Sequence, residues 1–296
     1  MKIESVAIEI TANAFLPEAY AYRNFFVKNG YRCELVRKGS PDVLSYDAVL
    51  LFHGFHPFWR KYPKFVIGEY HSLSVGRFSR LKDFLKRIVN VRADFYIFLN
   101  DSVRKALYFS NRVPFALRGM GFDKEKLGPR NDSSLEFDVV YCGSFREGVE
   151  CCIDRLASLG FKVAVVGFDS SSVDENVSSF GRVSPSEAME IIHRSRWGLN
   201  YTPDVHPLNI QDSTKVIEYS GAGLGVITNR YAWLDQFEQN RGGRFLDIAS
   251  VKDKRDVTNF EFVIPNVDDL EWSVVMSKSL GDLLDRMAAS DPMSDE

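Results

Sequence analysis

The sequence predicts an α/β protein made of two successive doubly wound domains. Three observations carry the prediction. Short apolar runs alternate with helical patterns along most of the chain. The alternation pauses once, at the polar stretch Gly128-Pro-Arg-Asn-Asp-Ser-Ser-Leu-Glu136. The length of 296 residues suits two domains of about 130–150 residues each. The expected domains are residues 1–130 and 131–296. A last helix at about 268–289 is expected to pack back on the first domain.

In chain order, Ser5–Ile10 reads as a β-branched strand and Glu18–Lys28 as a helix that stops at Asn29-Gly30. Cys33–Val36, Asp47–Phe52, Phe65–Gly68 and Phe95–Leu99 read as further strands. After the pause come strand Phe137–Cys142, helix Gly148–Leu159 and strand Lys162–Gly167. Helix Ser184–Ser195 opens with Ser184-Pro185 and carries Glu187 three residues after Ser184, a capping-box pattern. Strand Trp197–Asn200, helix Ser213–Gly221 and strand Gly225–Thr228 follow. Strands that alternate with helices imply βαβ units and a parallel sheet buried on both faces.

Composition excludes several classes. A hydrophobic content of 45% supports packed cores rather than disorder. Cys33, Cys142, Cys151 and Cys152 form no CxxC pair, so neither a disulfide framework nor a zinc site is expected. Glu4 and Glu9 interrupt the apolar N-terminus, which reads as a strand rather than a signal peptide. No run reaches the roughly 20 apolar residues of a membrane span. A cytoplasmic location follows as an expectation. Residues 1–130 hold 22 Lys+Arg against 12 Asp+Glu, a net +10, whereas the remainder nets −13. The first half therefore either faces something anionic, such as a membrane or an acidic acceptor, or docks on the acidic half.

Ligands of open α/β sheets bind beyond the carboxyl ends of the strands. After Phe137–Cys142 comes Gly143-Ser144-Phe145-Arg146-Glu147-Gly148, then a helix. Small residues and free N–H groups there suit an anion, with Arg146 as a charged fork. An ordinary βα turn carries the same residues. The stronger constellation runs from Asp212 to Ile227. Ser213 or Thr214 caps a helix whose N-terminus can face a phosphate beside Lys215. Glu218 lies three residues on, on the same helix face, where a carboxylate can accept two hydrogen bonds from a ribose diol. A surface i,i+3 ion pair is the plain alternative.

The block from Phe180-Gly181-Arg182-Val183 through Glu187, His193, Leu199-Asn200, Lys215–Glu218 and Gly221–Ile227 resembles the nucleotide-sugar-binding half of GT-B glycosyltransferases. It is most similar to the group-1/family-4 type and to the spore-maturation CgeB-like variant. Phe137–Ser144 looks like the strand and turn that open that domain. In the first half, Phe65–His71, Ala93–Leu107 and Gly119–Asp123 resemble the partner domain at lower specificity. The resemblance implies a GT-B architecture, with two Rossmann-like domains facing a central cleft. It implies a glycosyltransferase of polysaccharide biosynthesis that moves a sugar from a nucleotide-sugar donor to a glycan or lipid-linked acceptor. The donor-side residues it implies are Gly143, Ser144, Arg146, Arg182, Val183, Thr214, Lys215 and Glu218. His71 would be the catalytic residue, and Asn13, His53 and His56 would lie on the acceptor side.

No Asp-x-Asp and no convincing ligand cluster is present, so neither a metal nor any cofactor beyond the sugar-nucleotide substrate is expected. Nucleic acid is not an expected partner, because no recognised motif accompanies the basic half. Two departures bear on the chemistry. The loop after the first strand is Thr11-Ala12-Asn13-Ala14 rather than Gly-Gly. Ile210 stands eight residues before Glu218, where many retaining relatives have Glu. A GT-B-fold epimerase or a non-catalytic sugar-nucleotide-binding protein is therefore the alternative reading.

Residues 76–92 form a separate feature. Phe78, Leu81, Phe84, Leu85 and Ile88 recur at helical spacing among Arg77, Arg80, Lys82, Lys86 and Arg87. Such a stretch either packs its apolar stripe on the sheet or touches an anionic bilayer at the inner face of the membrane.

Overall fold

The computed structural model describes residues 3–11, 16–109, 112–127 and 135–289. Asn13, most of the expected linker (128–134) and the acidic tail (291–296) lie outside them. The chain divides into two units. The first comprises Met1–Gly121 together with Trp272–Glu296, and the second Phe122–Glu271. The division thus falls at Gly121/Phe122 rather than at 130, and the chain returns to the first unit at Trp272.

The first unit runs β1 (Ser5–Ile10), α1 (Pro17–Lys28), β2 (Arg32–Arg37), β3 (Ala48–Phe52), β4 (Phe65–Tyr70), α2 (Ser79–Val89), β5 (Phe95–Phe98), α3 (Asp101–Ala106) and β6 (Phe115–Leu117). The second runs α4 (Lys124–Leu127), β7 (Phe137–Cys142), α5 (Val149–Ser158), β8 (Val163–Val166), β9 (Val177–Ser179), α6 (Pro185–His193), β10 (Ser195–Asn200), α7 (Thr214–Gly221), β11 (Gly225–Thr228), α8 (Ala232–Arg241), β12 (Leu246–Asp247) and α9 (Lys254–Thr258). Helices α10 (Trp272–Ser279) and α11 (Gly281–Ala289) belong to the first unit, where α10 packs beside α1.

Each unit is a six-stranded, all-parallel sheet, in the order β2-β1-β3-β4-β5-β6 and β12-β11-β10-β7-β8-β9. The near-continuous apolar runs are the reason. A parallel strand covered on both faces has no polar side, and β3, β4, β5, β8 and β11 are buried along nearly their whole length. The chain signals that set helix ends act as expected. Pro17 opens α1, and Gly30, at φ +87°, follows its end. Ser184 accepts the Glu187 N–H at the start of α6. The edge strands β6, β9 and β12 have three residues or fewer, too short for a pattern to stand out. The terminal helix expected at about 268–289 is instead a 3₁₀ turn (Asp268–Leu270) followed by α10 and α11.

Candidate functional site

In the second unit the direction of winding reverses between β7 and β10, which are hydrogen-bonded neighbours (Trp197 beside Val139). The crevice beyond their carboxyl ends is where an open α/β sheet takes a ligand. Three glycine turns line up there. The Gly143 N–H donates to Val166 O at 2.8 Å, and the Gly167 N–H donates to Gly181 O at 2.6 Å. A Cβ at Gly167 would overlap the Gly143 carbonyl oxygen, so only glycine permits this approach of the β7 and β8 ends.

Lys215, in the first turn of α7, projects over the first of these turns. A Cβ at Gly143 would overlap Lys215 Cε and lie 2.8 Å from Nζ. The ammonium sits 5.3 Å from the centroid of the Tyr141 ring. The side chain is buried, at 9% exposure, and forms no ion pair among the described residues. Burial, with Arg146 as a second cation nearby, pulls its pKa down to about 8, against the pull of Cys142 and Glu218. A buried cation without a paired anion is costly unless a ligand supplies one. Arg146, half-buried, donates to Thr202 Oγ1 at 3.3 Å, so the cations of the β7 turn and of α7 converge on the end of β10.

The N-terminus of α7 is held by a buried polar hub. Ser213 is the N-cap, accepting the Val216 N–H, and its hydroxyl donates to Asn200 Oδ1 at 3.0 Å. Asn200 Nδ2 donates in turn to Thr228 Oγ1 (2.9 Å) and Tyr231 OH (3.1 Å). Beside it, Thr202 and Asn229 exchange two hydrogen bonds (2.9 and 2.7 Å). The hub fastens β10, β11 and the start of α8 to the cap that aims α7. Thr202, Asn229 and Tyr231 were not among the residues read from the sequence. The available signal was Asn200 itself, a polar residue that closes the buried run Trp197–Leu199.

The other expected donor residues fall as follows. Ser144 is exposed, and its carbonyl accepts from Tyr141 OH at 2.8 Å. Thr214 is the first residue of α7, half-buried, while the capping falls to Ser213. Glu218 lies one turn beyond Lys215, half-buried; its charge acts on Lys215 and on the Cys142 thiol, which burial pushes up to about 12. Arg182 is exposed and Val183 half-buried, just past the Gly181 turn, and Gly181 takes φ +60°.

In the first unit, His71 follows β4, half-buried, with its ring edge-on to Phe52 at 6.0 Å. Around it the sheet end carries charge that sequence reading missed. Arg118 and Glu69, both fully buried, form an ion pair. Burial pushes the Arg118 pKa down, but Glu69, Tyr22 and Glu18 outweigh it and keep the guanidinium charged. Burial raises the Glu18 pKa; Arg118 and His71 oppose that rise and Glu69 adds to it.

His53 and His56, expected on the acceptor side, are both buried. His53 is 6% exposed, packs on Tyr70 at 4.8 Å, and burial takes its pKa to about 3, so it is a neutral core residue. His56 Nε2 sits 2.9 Å from Glu9 Oε2, and Arg60 sits 2.7 Å from Glu9 Oε1. Burial raises the Glu9 pKa, yet His56, Arg60 and the Gly39 N–H together hold it down to about 2. A cavity of about 790 Å³ lies at the amino ends of β1 and β2. Its one buried-edge carboxylate, Asp47, is already taken by Ser5 and the Glu4 N–H. Among the described residues no group of three His, Cys, Asp or Glu could hold a metal, and no helix is long and apolar enough to cross a membrane.

No family model matches the chain, and no curated protein matches it by sequence. Solved structures do. The fold is similar to that of Anabaena Alr3699/HepE in complex with UDP-glucose, with TM-score 0.58 and 10% identity over 96% of this chain and 92% of that one. The same protein in complex with UDP and glucose gives TM-score 0.56 at 11% identity, over 96% and 95%. UDP-N-acetylglucosamine 2-epimerase from Rickettsia bellii gives 0.52 at 12% identity, over 98% and 97%. At these identities the likeness is one of fold. The chain has the two-unit Rossmann-like architecture of GT-B nucleotide-sugar enzymes.

Proposed function

We propose that the protein is a glycosyltransferase that moves a sugar from a nucleotide-diphosphate sugar to a glycan or lipid-linked acceptor. It needs no metal and no cofactor besides that substrate. The observation that carries the reading is Lys215, a buried cation with no ion-pair partner among the described residues, set at a helix N-terminus in the crevice between β7 and β10. A diphosphate is the ligand that such a site would hold. The group-1/family-4 and CgeB-like resemblance and the fold of the UDP-glucose complex point the same way.

In this reading the Lys215 ammonium, the Arg146 guanidinium and the first N–H groups of α7 neutralise the charge that grows on the leaving diphosphate. Glu218 accepts two hydrogen bonds from the ribose hydroxyls. Gly143 and Ser144 let the backbone approach the phosphates, and the Arg182-Val183 turn meets the base. His71 takes the acceptor proton or orients its hydroxyl. The protein works in the cytoplasm, at the inner face of the membrane.

Thermal unfolding with UDP-, GDP- and CMP-sugars tests the reading. One nucleotide class should raise Tm as RT ln(1 + [L]/Kd), and Glu218→Ala should remove the rise. The absence of a shift with any nucleotide would sink it. The alternative, a GT-B-fold epimerase or a binding protein without transfer activity, gains weight from Ile210 and from Thr11-Ala12-Asn13-Ala14 in place of a Gly-Gly loop. Incubation of the stabilising sugar nucleotide without acceptor separates the two. Release of an epimer rather than unchanged donor would favour the alternative.

A further inference from the structure

Helix α2 is turned inside out. An amphipathic helix of a globular domain ordinarily packs its apolar stripe inward. Here Phe78, Leu81, Phe84, Leu85 and Ile88, which recur every three or four residues and so share one face, are 48–64% exposed. The opposite, polar face holds the helix to the unit. Asp83 is buried and accepts the Ser74 N–H at 2.9 Å, with Lys86 leaning toward it at 3.7 Å. Asn90, also buried, accepts the His56 N–H and donates to Gly54 O.

These contacts fix a second exposed apolar group beside the helix. The Phe58 N–H donates to Val89 O, and the Val91 N–H donates to His56 O, so loop 54–60 is laced to the end of α2. Phe55, Phe58 and Trp59 stand on that loop, 60–64% exposed and stacked edge to face on one another. Phe58, Arg87 and Ile88 line one cavity of about 380 Å³. The polar side chains around this surface have one sign. Arg77, Arg80, Lys82 and Arg87 are exposed, and the helix's lone acid, Asp83, points inward.

We infer that α2 and loop 54–60 form a docking surface for an anionic lipid bilayer, on which α2 lies in the plane of the headgroups. A bilayer with anionic lipids presents an apolar interior and a negative surface together, which is the complement of this arrangement. Eleven residues of helix reach only about 16 Å, too short to cross, so the element rests on the membrane rather than spanning it. Every residue involved lies in the first unit, so the inference stands apart from the donor reading.

Flotation of the full-length protein with vesicles tests it. Vesicles of phosphatidylcholine alone are compared with an equimolar mixture of phosphatidylcholine and phosphatidylglycerol. The wild type should float with the mixed vesicles, about tenfold better than with neutral ones, and less as salt screens the charges. Leu81→Asp/Phe84→Asp should cut flotation about tenfold while its circular dichroism and Tm match the wild type, because both side chains already face outward. Arg80→Gln/Lys82→Gln should lose the preference for the anionic vesicles only. Mixed vesicles should also shift tryptophan emission to the blue, and Trp59→Phe should abolish the shift. Three results would each overturn the inference: no flotation of wild type in low salt, unchanged flotation of the aspartate variant, or a dimer without vesicle binding that the aspartate variant dissolves.

Discussion

At the carboxyl end of β4 the first unit buries Glu69 against Arg118, and inside β1 it closes Glu9 with His56 and Arg60. At the carboxyl ends of β7 and β10 the second unit buries Lys215 against an aromatic ring, a second cation in Arg146 and no carboxylate within ion-pair distance among the described residues. Both units are six-stranded parallel sheets, so topology does not explain the contrast. In the first unit Glu69 pairs with Arg118, and Glu9 with His56 and Arg60, and these pairs serve its stability. The second buries a cation that forms no ion pair among the described residues, and the proposed reading gives that charge to the ligand. The first unit turns its unsatisfied surface outward instead, as the apolar face of α2.

Substitutions can break this comparison, and the largest effect is expected in the first unit. Glu69→Ala or Arg118→Met leaves one buried charge uncompensated and should cost ~3–5 kcal/mol in urea unfolding, whereas exchanging both for apolar residues should recover most of it. Lys215→Met should do the opposite. It removes a buried cation that forms no ion pair among the described residues, so Tm without nucleotide should hold or rise. Nucleotide affinity should fall by about 10–100-fold in calorimetric titration, the loss of one charge-assisted contact. If Lys215→Met destabilised the protein as much as Arg118→Met, the contrast between the units would fail. Ser213→Ala removes the cap that the Asn200 hub holds and should cost ~1 kcal/mol, with a smaller loss of affinity.

The smallest effect is on pH. The Lys215 pKa of about 8 lies below its ordinary value of 10.5, so the ammonium is present below pH 8 and is lost as pH rises through it. Nucleotide affinity should fall by about twofold between pH 7 and pH 8 and more steeply above, and Lys215→Met should be flat over that range. A wild-type affinity independent of pH up to 9.5 would show that Lys215 does not carry the binding charge.

Much of the fold was legible because its signals are local. The bounds of β1, β7 and β11 follow from apolar runs a few residues long, and the start of α7 follows from Ser213-Thr214. Lys215 and Glu218 could be chosen because one helix turn sets their spacing, whatever packs around them. The Asn200 hub was not legible in the same way. Its partners Ser213, Thr228 and Tyr231 are brought together by the crossovers from β10 to β11 and α8, and no short window contains them. The burial of His53 and His56 was not legible either. Two histidines after a strand look available, but the bridge from Pro57 to Asn90 folds their loop over the sheet and buries both.

What the sequence determined by itself was the alternation that specifies two parallel sheets, the caps that start the helices, and the residue types at each strand end. The tertiary structure decided which of those charges are paired and which way α2 faces. Pattern can show that a helix has an apolar side. Only the buried contacts of Asp83 and Asn90 on its other side establish that this one turns that stripe to the outside. Likewise, a lysine in a helix's first turn is a surface residue until the glycine turn beyond β7 lets it lie across the sheet's end, where burial lowers its pKa. Side-chain periodicity is fixed within a few residues, whereas burial and pairing depend on elements far apart in the chain.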